Sequence, residues 1–130
     1  MFKFSGTRPK NLGVQGGKLA ACPNKPNCVS SQASDDPHAI SPLNFSGDPV
    51  AAMKKLKSVV QAMPRTQVVE SRPDYLYVEF STPLMGFVDD VEFYGDGKVI
   101  HVRSASRLGY SDLGVNRKRV EAIREAFRKS

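Results

Sequence analysis

The chain has 130 residues, 40% of them hydrophobic, and a formal net charge of +6, which suits one domain with one buried core and leaves no room for a second. No apolar run approaches the roughly 18 residues of a membrane span, and the basic, glycine-rich start lacks the apolar middle of a secretory signal, so a cytoplasmic location is the expectation. The charge is uneven: residues 101–130 hold eight Lys/Arg against three Asp/Glu.

Residues 1–18 read as a flexible N-terminal segment and residues 19–130 as a single globular domain. Five of the nine prolines fall within residues 1–47, where no hydrophobic period is sustained; this stretch predicts a loop layer ordered by contact. Leu19-Ala20-Ala21-Cys22 has the form of a bacterial lipoprotein cleavage site, but nothing hydrophobic precedes it. Asp48-Pro49 is an N-cap followed by proline at the first helical position. Met53, Leu56, Val60 and Met63 then recur at helical spacing until Pro64 stops the helix.

Four strands are predicted next, over residues 66–72, 75–81, 87–95 and 98–103, with Pro73-Asp74 and Asp96-Gly97 as turn signals. Their connections are too short for parallel crossovers. Val120, Ile123 and Phe127 mark a final helix, with Asp112 as its candidate cap. The expected fold is α+β: a mostly antiparallel four-stranded sheet, two helices on one face, and the N-terminal loop layer at the edge or on the opposite face.

Strand alternation sorts the side chains. Leu76, Val78, Phe80, Val91, Phe93, Ile100 and Val102 face the helices, leaving Tyr77, Glu79, Asp90, Glu92, His101 and Arg103 on one polar face. Asp89 falls on the apolar side, where it needs an arginine from the 103–119 region; a bulge turning Asp89 and Asp90 to the same side is the alternative. Three chemistries compete for the polar face. Its carboxylates and His101 are of a type to ligate a divalent metal, although their spacing matches no metal signature. A carboxylate beside His101 would make a general acid/base pair with an arginine holding an anionic substrate. A ladder of cross-strand ion pairs would only order the sheet.

Cys22 and Cys28, six apart with two prolines between them, are open to a disulfide, to metal coordination with outside help, or to free thiols, and reduced thiols are the default for a cytoplasmic chain. Cys28, among Asn27, Ser30, Ser31 and Gln32, is a nucleophile candidate if a histidine lies near. His38 reads as a loop residue. Ser111 and Asp112, before the last helix, could present backbone N–H groups to an anion. Arg124, Arg128 and Lys129 suit either an acidic partner or a solvated helix end.

Three motifs, Pro26-Asn27-Cys28-Val29-Ser30-Ser31-Gln32, the run from Gly86 to Phe93 and the run from Arg103 to Arg117, resemble in this order the domain-of-unknown-function 1499 family, over residues 19–127. The resemblance implies a single-domain protein of bacteria and plastid-bearing organisms, some of whose relatives look exported or membrane-attached, and it implies no established activity.

Motifs so far apart share a role only if the fold gathers them. The expected site is a charged pocket on the sheet face for a small polar or anionic ligand, built from Asp89, Asp90, Glu92, Arg103, Ser104, Arg107, Asp112, Asn116 and Arg117. Its catalytic candidates are Cys28, Asp90 and His101, and no metal or cofactor is assigned to it. The rival is a non-enzymatic interaction module whose basic C-terminal helix meets an acidic protein, a membrane surface or nucleic acid. Nucleic acid is the weaker branch, because no binding motif accompanies the charge.

Overall fold

The computed structural model describes residues 5–83 and 86–130. In chain order it contains β1 (Cys28–Ser30), α1 (Pro49–Gln61), β2 (Thr66–Arg72), β3 (Tyr75–Ser81), β4 (Val88–Gly95), β5 (Ile100–Ser106) and α2 (Val115–Lys129). The sheet runs β1-β5-β4-β3-β2 with every pairing antiparallel. The fold class is α+β as expected, with a fifth strand that the sequence pattern missed. At three residues β1 is too short to show a period, and its pairing of Cys28 with Ala105 and Ser30 with Arg103 comes from tertiary docking.

Helix α1 starts where Asp48 accepts the Ala51 N–H, satisfying one of the donors that a helix start leaves free. Gly97, at φ +94°, makes the β4–β5 turn, and Asp96 Oδ1 closes it by accepting the Lys98 and Val99 N–H groups. Both helices cover one sheet face. Met53, Leu56 and Val60 of α1 and Val120, Ile123 and Phe127 of α2 bury Leu76, Val78, Phe80, Val91, Phe93, Ile100 and Val102 in one core.

The opposite face is covered by the N-terminal layer, whose Leu12, Val14 and Leu19 pack on Tyr75, Tyr77 and Tyr94. A disulfide between Cys22 and Cys28, Cα atoms 5.7 Å apart, ties this layer to the sheet edge. The expectation of reduced thiols is therefore corrected: the path of residues 22–28 sets the two Cα atoms within disulfide range, which spacing alone does not determine.

Candidate functional site

The polar groups form two networks, one on each side of the sheet. The first lies on the helix side. Asp89 sits opposite Phe80 and Ser106, in a β4 that keeps regular register, so the alternative of a bulge there is not what the strand adopts. Burial pushes the Asp89 carboxyl up, and Arg119, 2.6 Å away, offsets this only in part. Asn116 is fully buried and joins three segments: its Oδ1 accepts from Ser104 and Arg119, and its Nδ2 donates to Ser106 Oγ, Asp112 Oδ2 and the Asn27 carbonyl. Asn27 in turn donates to the Gly109 carbonyl, while its own Oδ1 has no partner among the described residues.

Asp112 works as a cap from two residues before the N-cap position. It accepts the Gly114 and Asn116 N–H groups, while Gly114, at φ +83°, occupies the N-cap position. Burial alone would raise the Asp112 carboxyl, but hydrogen bonds from Asn116 and the backbone outweigh it and hold it low.

Beside this network opens a cleft of about 250 Å³, whose walls include Asp89, Ser106, Leu108, Ser111, Asp112 and Leu113. Leu113 is 87% exposed and holds a left-handed φ of +54°. That backbone conformation is costly for a non-glycine residue and tends to occur where structure serves a site.

The second network lies under the N-terminal layer. Arg107 grips Asp90 with two bonds of 2.8 Å and reaches Glu79 at 2.5 Å, leaving its side chain 7% exposed. Tyr77 donates to Asp90, and Arg8 closes Glu79 from the solvent side at 2.7 Å. These two arginines hold Glu79 low in spite of burial, which is the largest single influence and acts upward. Burial likewise raises Tyr75, whose hydroxyl donates to Glu92.

Glu92 and Arg103 face each other across β4 and β5, both buried. Glu92 Oε2 accepts from Tyr75 and the Gly13 N–H, and Arg103 donates to the Ala21 carbonyl. Glu92 Oε1 and Arg103 Nε have no partner among the described residues. Desolvation raises Glu92 and lowers Arg103, each toward its neutral form.

The expected site residues thus divide. Ser104, Asp112 and Asn116 join Asp89 on the helix side, whereas Asp90, Glu92, Arg103 and Arg107 lie on the other face. Arg117 belongs to neither, since it braces the Ala39 and Pro37 carbonyls. Cys28 and Asp90 are one strand apart through Ala105, roughly 10 Å, but Cys28 is in a disulfide and carries no free thiol. His101 pairs with Tyr94, four residues along β4 from Asp90, roughly 13 Å. Its nitrogens meet Ser31 and Asp96 instead. Among the described residues no group of three His, Cys, Asp or Glu is placed to hold a metal ion. In the tail, Arg124 holds the Ser41 and Pro42 carbonyls as well as Glu121, and Arg128 pairs with Glu125.

Two members of the first network lie outside the expected ligand-binding set. Asn27 and Ser106 stood inside the motifs without chemistry that singles them out. His38 is a loop residue, as its place between Pro37 and Ala39 predicts, and it is buried, with Asp35 and the Lys25 carbonyl on its two nitrogens.

The first network is drawn from all three motifs: Asn27 from the first, Asp89 from the second, and Ser104, Ser106, Asp112 and Asn116 from the third. The same residues fall within 18–127, the stretch matched by the family model described as Protein of unknown function (DUF1499). The chain belongs to the DUF1499 family. No curated protein and no solved structure matches it. Within this DUF1499 domain, no helix among the described residues is long and apolar enough to cross a membrane.

Proposed function

We propose that this DUF1499 domain binds a small polar ligand with an apolar portion in the cleft between the start of β4, the end of β5 and the start of α2. One observation carries the reading: residues of the second and third motifs line a cleft that also exposes Leu108 and Leu113, and Asn27 of the first motif holds the carbonyl of Gly109 in its wall. A buried polar network next to exposed apolar side chains is the composition of a ligand site. Among the described residues the cleft lining holds Asp89 and Asp112 and no Lys, Arg or His, which favours a hydrogen-bond donor or cationic group over an anion. The Asp90–Arg107 network fits a structural role better, because its charges already satisfy one another beneath the N-terminal layer.

A fragment collection of small amines, amides and carboxylates, screened by amide chemical shifts on the labelled protein, tests this. Amines and amides should move Val88, Asp89, Ser106 and Ser111 together, and Ser111→Trp should abolish the response. Hits confined to other surfaces, or only carboxylates binding, would sink it. The rival interaction module gains little support, because Arg124 and Arg128 are engaged within the chain.

The location expected from the sequence, the cytoplasm, and the Cys22–Cys28 disulfide pull in opposite directions, since structural disulfides persist mainly in oxidising compartments. The bond supports an oxidising compartment. Alkylation of intact cells decides the point: a protected disulfide agrees with it, and two free thiols would return the protein to the cytoplasm.

A further inference from the structure

Two large cavities lie outside the three family motifs, beside the two helices. One lobe, about 550 Å³, is floored by Leu43, Phe45 and Phe127 and edged by Lys55, Arg124 and Arg128. A second, about 640 Å³, continues along α1 past Val59 and Met63 to Ala126 and Ser130, and among the described residues its only charged lining side chain is that of Lys55. Lys55 therefore stands where the two lobes meet. Its ammonium rests 4.7 Å above the Phe127 ring, and no carboxylate of the described residues pairs with it. The one acidic residue in the first lobe, Asp48, already accepts the Ala51 N–H at the start of α1.

We propose that this trough binds a single-chain anionic amphiphile, a medium-length acyl carboxylate. The acyl chain lies along the apolar lobe and the carboxylate sits in the cationic one against Lys55. Charge and shape both select this class. A cation-edged mouth at one end of an apolar channel matches a molecule with one charged end. From Lys55 to Ala62 the channel follows seven residues, roughly 10 Å at the helical rise. Arg124 is held by the Ser41 and Pro42 carbonyls, so it presents a fixed positive edge. Only Lys55 has to turn from the Phe127 ring to the ligand, leaving a cation–π contact for an ion pair.

Decanoate titrated into the labelled full-length protein tests this, with decyltrimethylammonium, acetate and hexaglutamate as controls. Decanoate should shift Ala51, Lys55, Ser58 and Ala126 amides, acetate and hexaglutamate should leave them in place, and the cationic amphiphile should bind at least about tenfold more weakly. Lys55→Glu should lose about tenfold in decanoate affinity, and Ala126→Leu, which fills the apolar lobe, should lose most of it. A lysophosphatidate of the same chain length, run in parallel, separates a lipid headgroup from a free carboxylate; exclusive binding of the former overturns the carboxylate assignment. Equal binding of both amphiphile charges, binding of hexaglutamate, or undiminished affinity in Lys55→Glu would each overturn the proposal.

Discussion

Asp89 and Asp90 are consecutive, yet each is held by a different arginine on a different side of the sheet: Asp89 by Arg119 from α2, Asp90 by Arg107 at the end of β5. The strand's two-residue period separates them, and the arginines come from segments that reach only one face each. One pair thus ties α2 to the sheet and the other serves the surface beneath the N-terminal layer. The two should fail independently.

Arg107→Ala leaves Asp90 buried without its cation and Glu79 with Arg8 alone, and breaking a buried pair from one side costs about 3–5 kcal/mol. Urea unfolding should show a loss in that range, and Arg107→Lys should recover little of it, because a point charge cannot reproduce the two-bond grip on Asp90. Arg119→Ala should cost a similar amount, and because the two sites share no partner the double variant should lose the sum. A clearly sub-additive double variant would mean that the networks communicate through the sheet.

How much of this was legible in the sequence depended on whether the information was local. Strands β2 to β5 and the two helices carry their own periodicity and turn signals, and the alternation that put Asp89 inside and Asp90 outside follows from those alone. Strand β1 does not, because three residues contain no period. The charged pocket expected on the sheet face was read by pooling polar residues from both faces. Which arginine closes which carboxylate depends on where α2 and the N-terminal layer dock, and residue spacing does not record that. Arg8 shows this best: it lies in a stretch read as a flexible N-terminal segment and pairs with Glu79, 71 residues away.

The Cys22–Cys28 bond closes a short loop, and in the chain-entropy account such a loop contributes about 2 kcal/mol. Cys22→Ser/Cys28→Ser should lower stability by that amount in urea. The larger effect should be local: amide hydrogens of residues 12–21 should exchange faster, while those of β3 and β4 facing the helices keep their protection. Uniform loss of protection across the sheet would show that the bond supports the whole fold rather than the N-terminal layer.

Glu92 should make the protein less stable as pH rises. Its folded carboxyl lies above the ordinary 4.5, with burial among Tyr75, Asp90 and Arg103 as the main cause, so between the two values the folded state holds a proton that the unfolded state has released. In that window unfolding gives up a proton and stability falls with increasing pH. Glu92→Gln removes this dependence. The stability of the variant relative to wild type should therefore rise from pH 4 to pH 7, whatever the offset at the acid end. Denaturation at several pH values reads the trend, and a parallel pair of curves would count against a raised carboxyl.

His38 should act with the same slope at higher pH. Both ring nitrogens face acceptors, Nε2 the Lys25 carbonyl and Nδ1 the Asp35 carboxylate, and neutral imidazole has only one N–H to offer. The protonated ring satisfies both, and the Lys25 carbonyl leads the influences that raise His38 above its ordinary 6.5. For a base with a raised folded value, the stabilisation is complete below the unfolded value and is lost as pH climbs through the folded one. His38→Gln, which keeps a donor but cannot titrate, should be less stable than wild type at pH 5.5, and the gap should narrow by pH 8.5. Because Ser30 N–H bonds the His38 carbonyl and Ser31 N–H bonds that of Val102, the effect should be felt first at β1. Exchange rates of the Ser30 and Ser31 amides at the two pH values would show whether this histidine sets the grip of the 30–40 loop on the sheet edge.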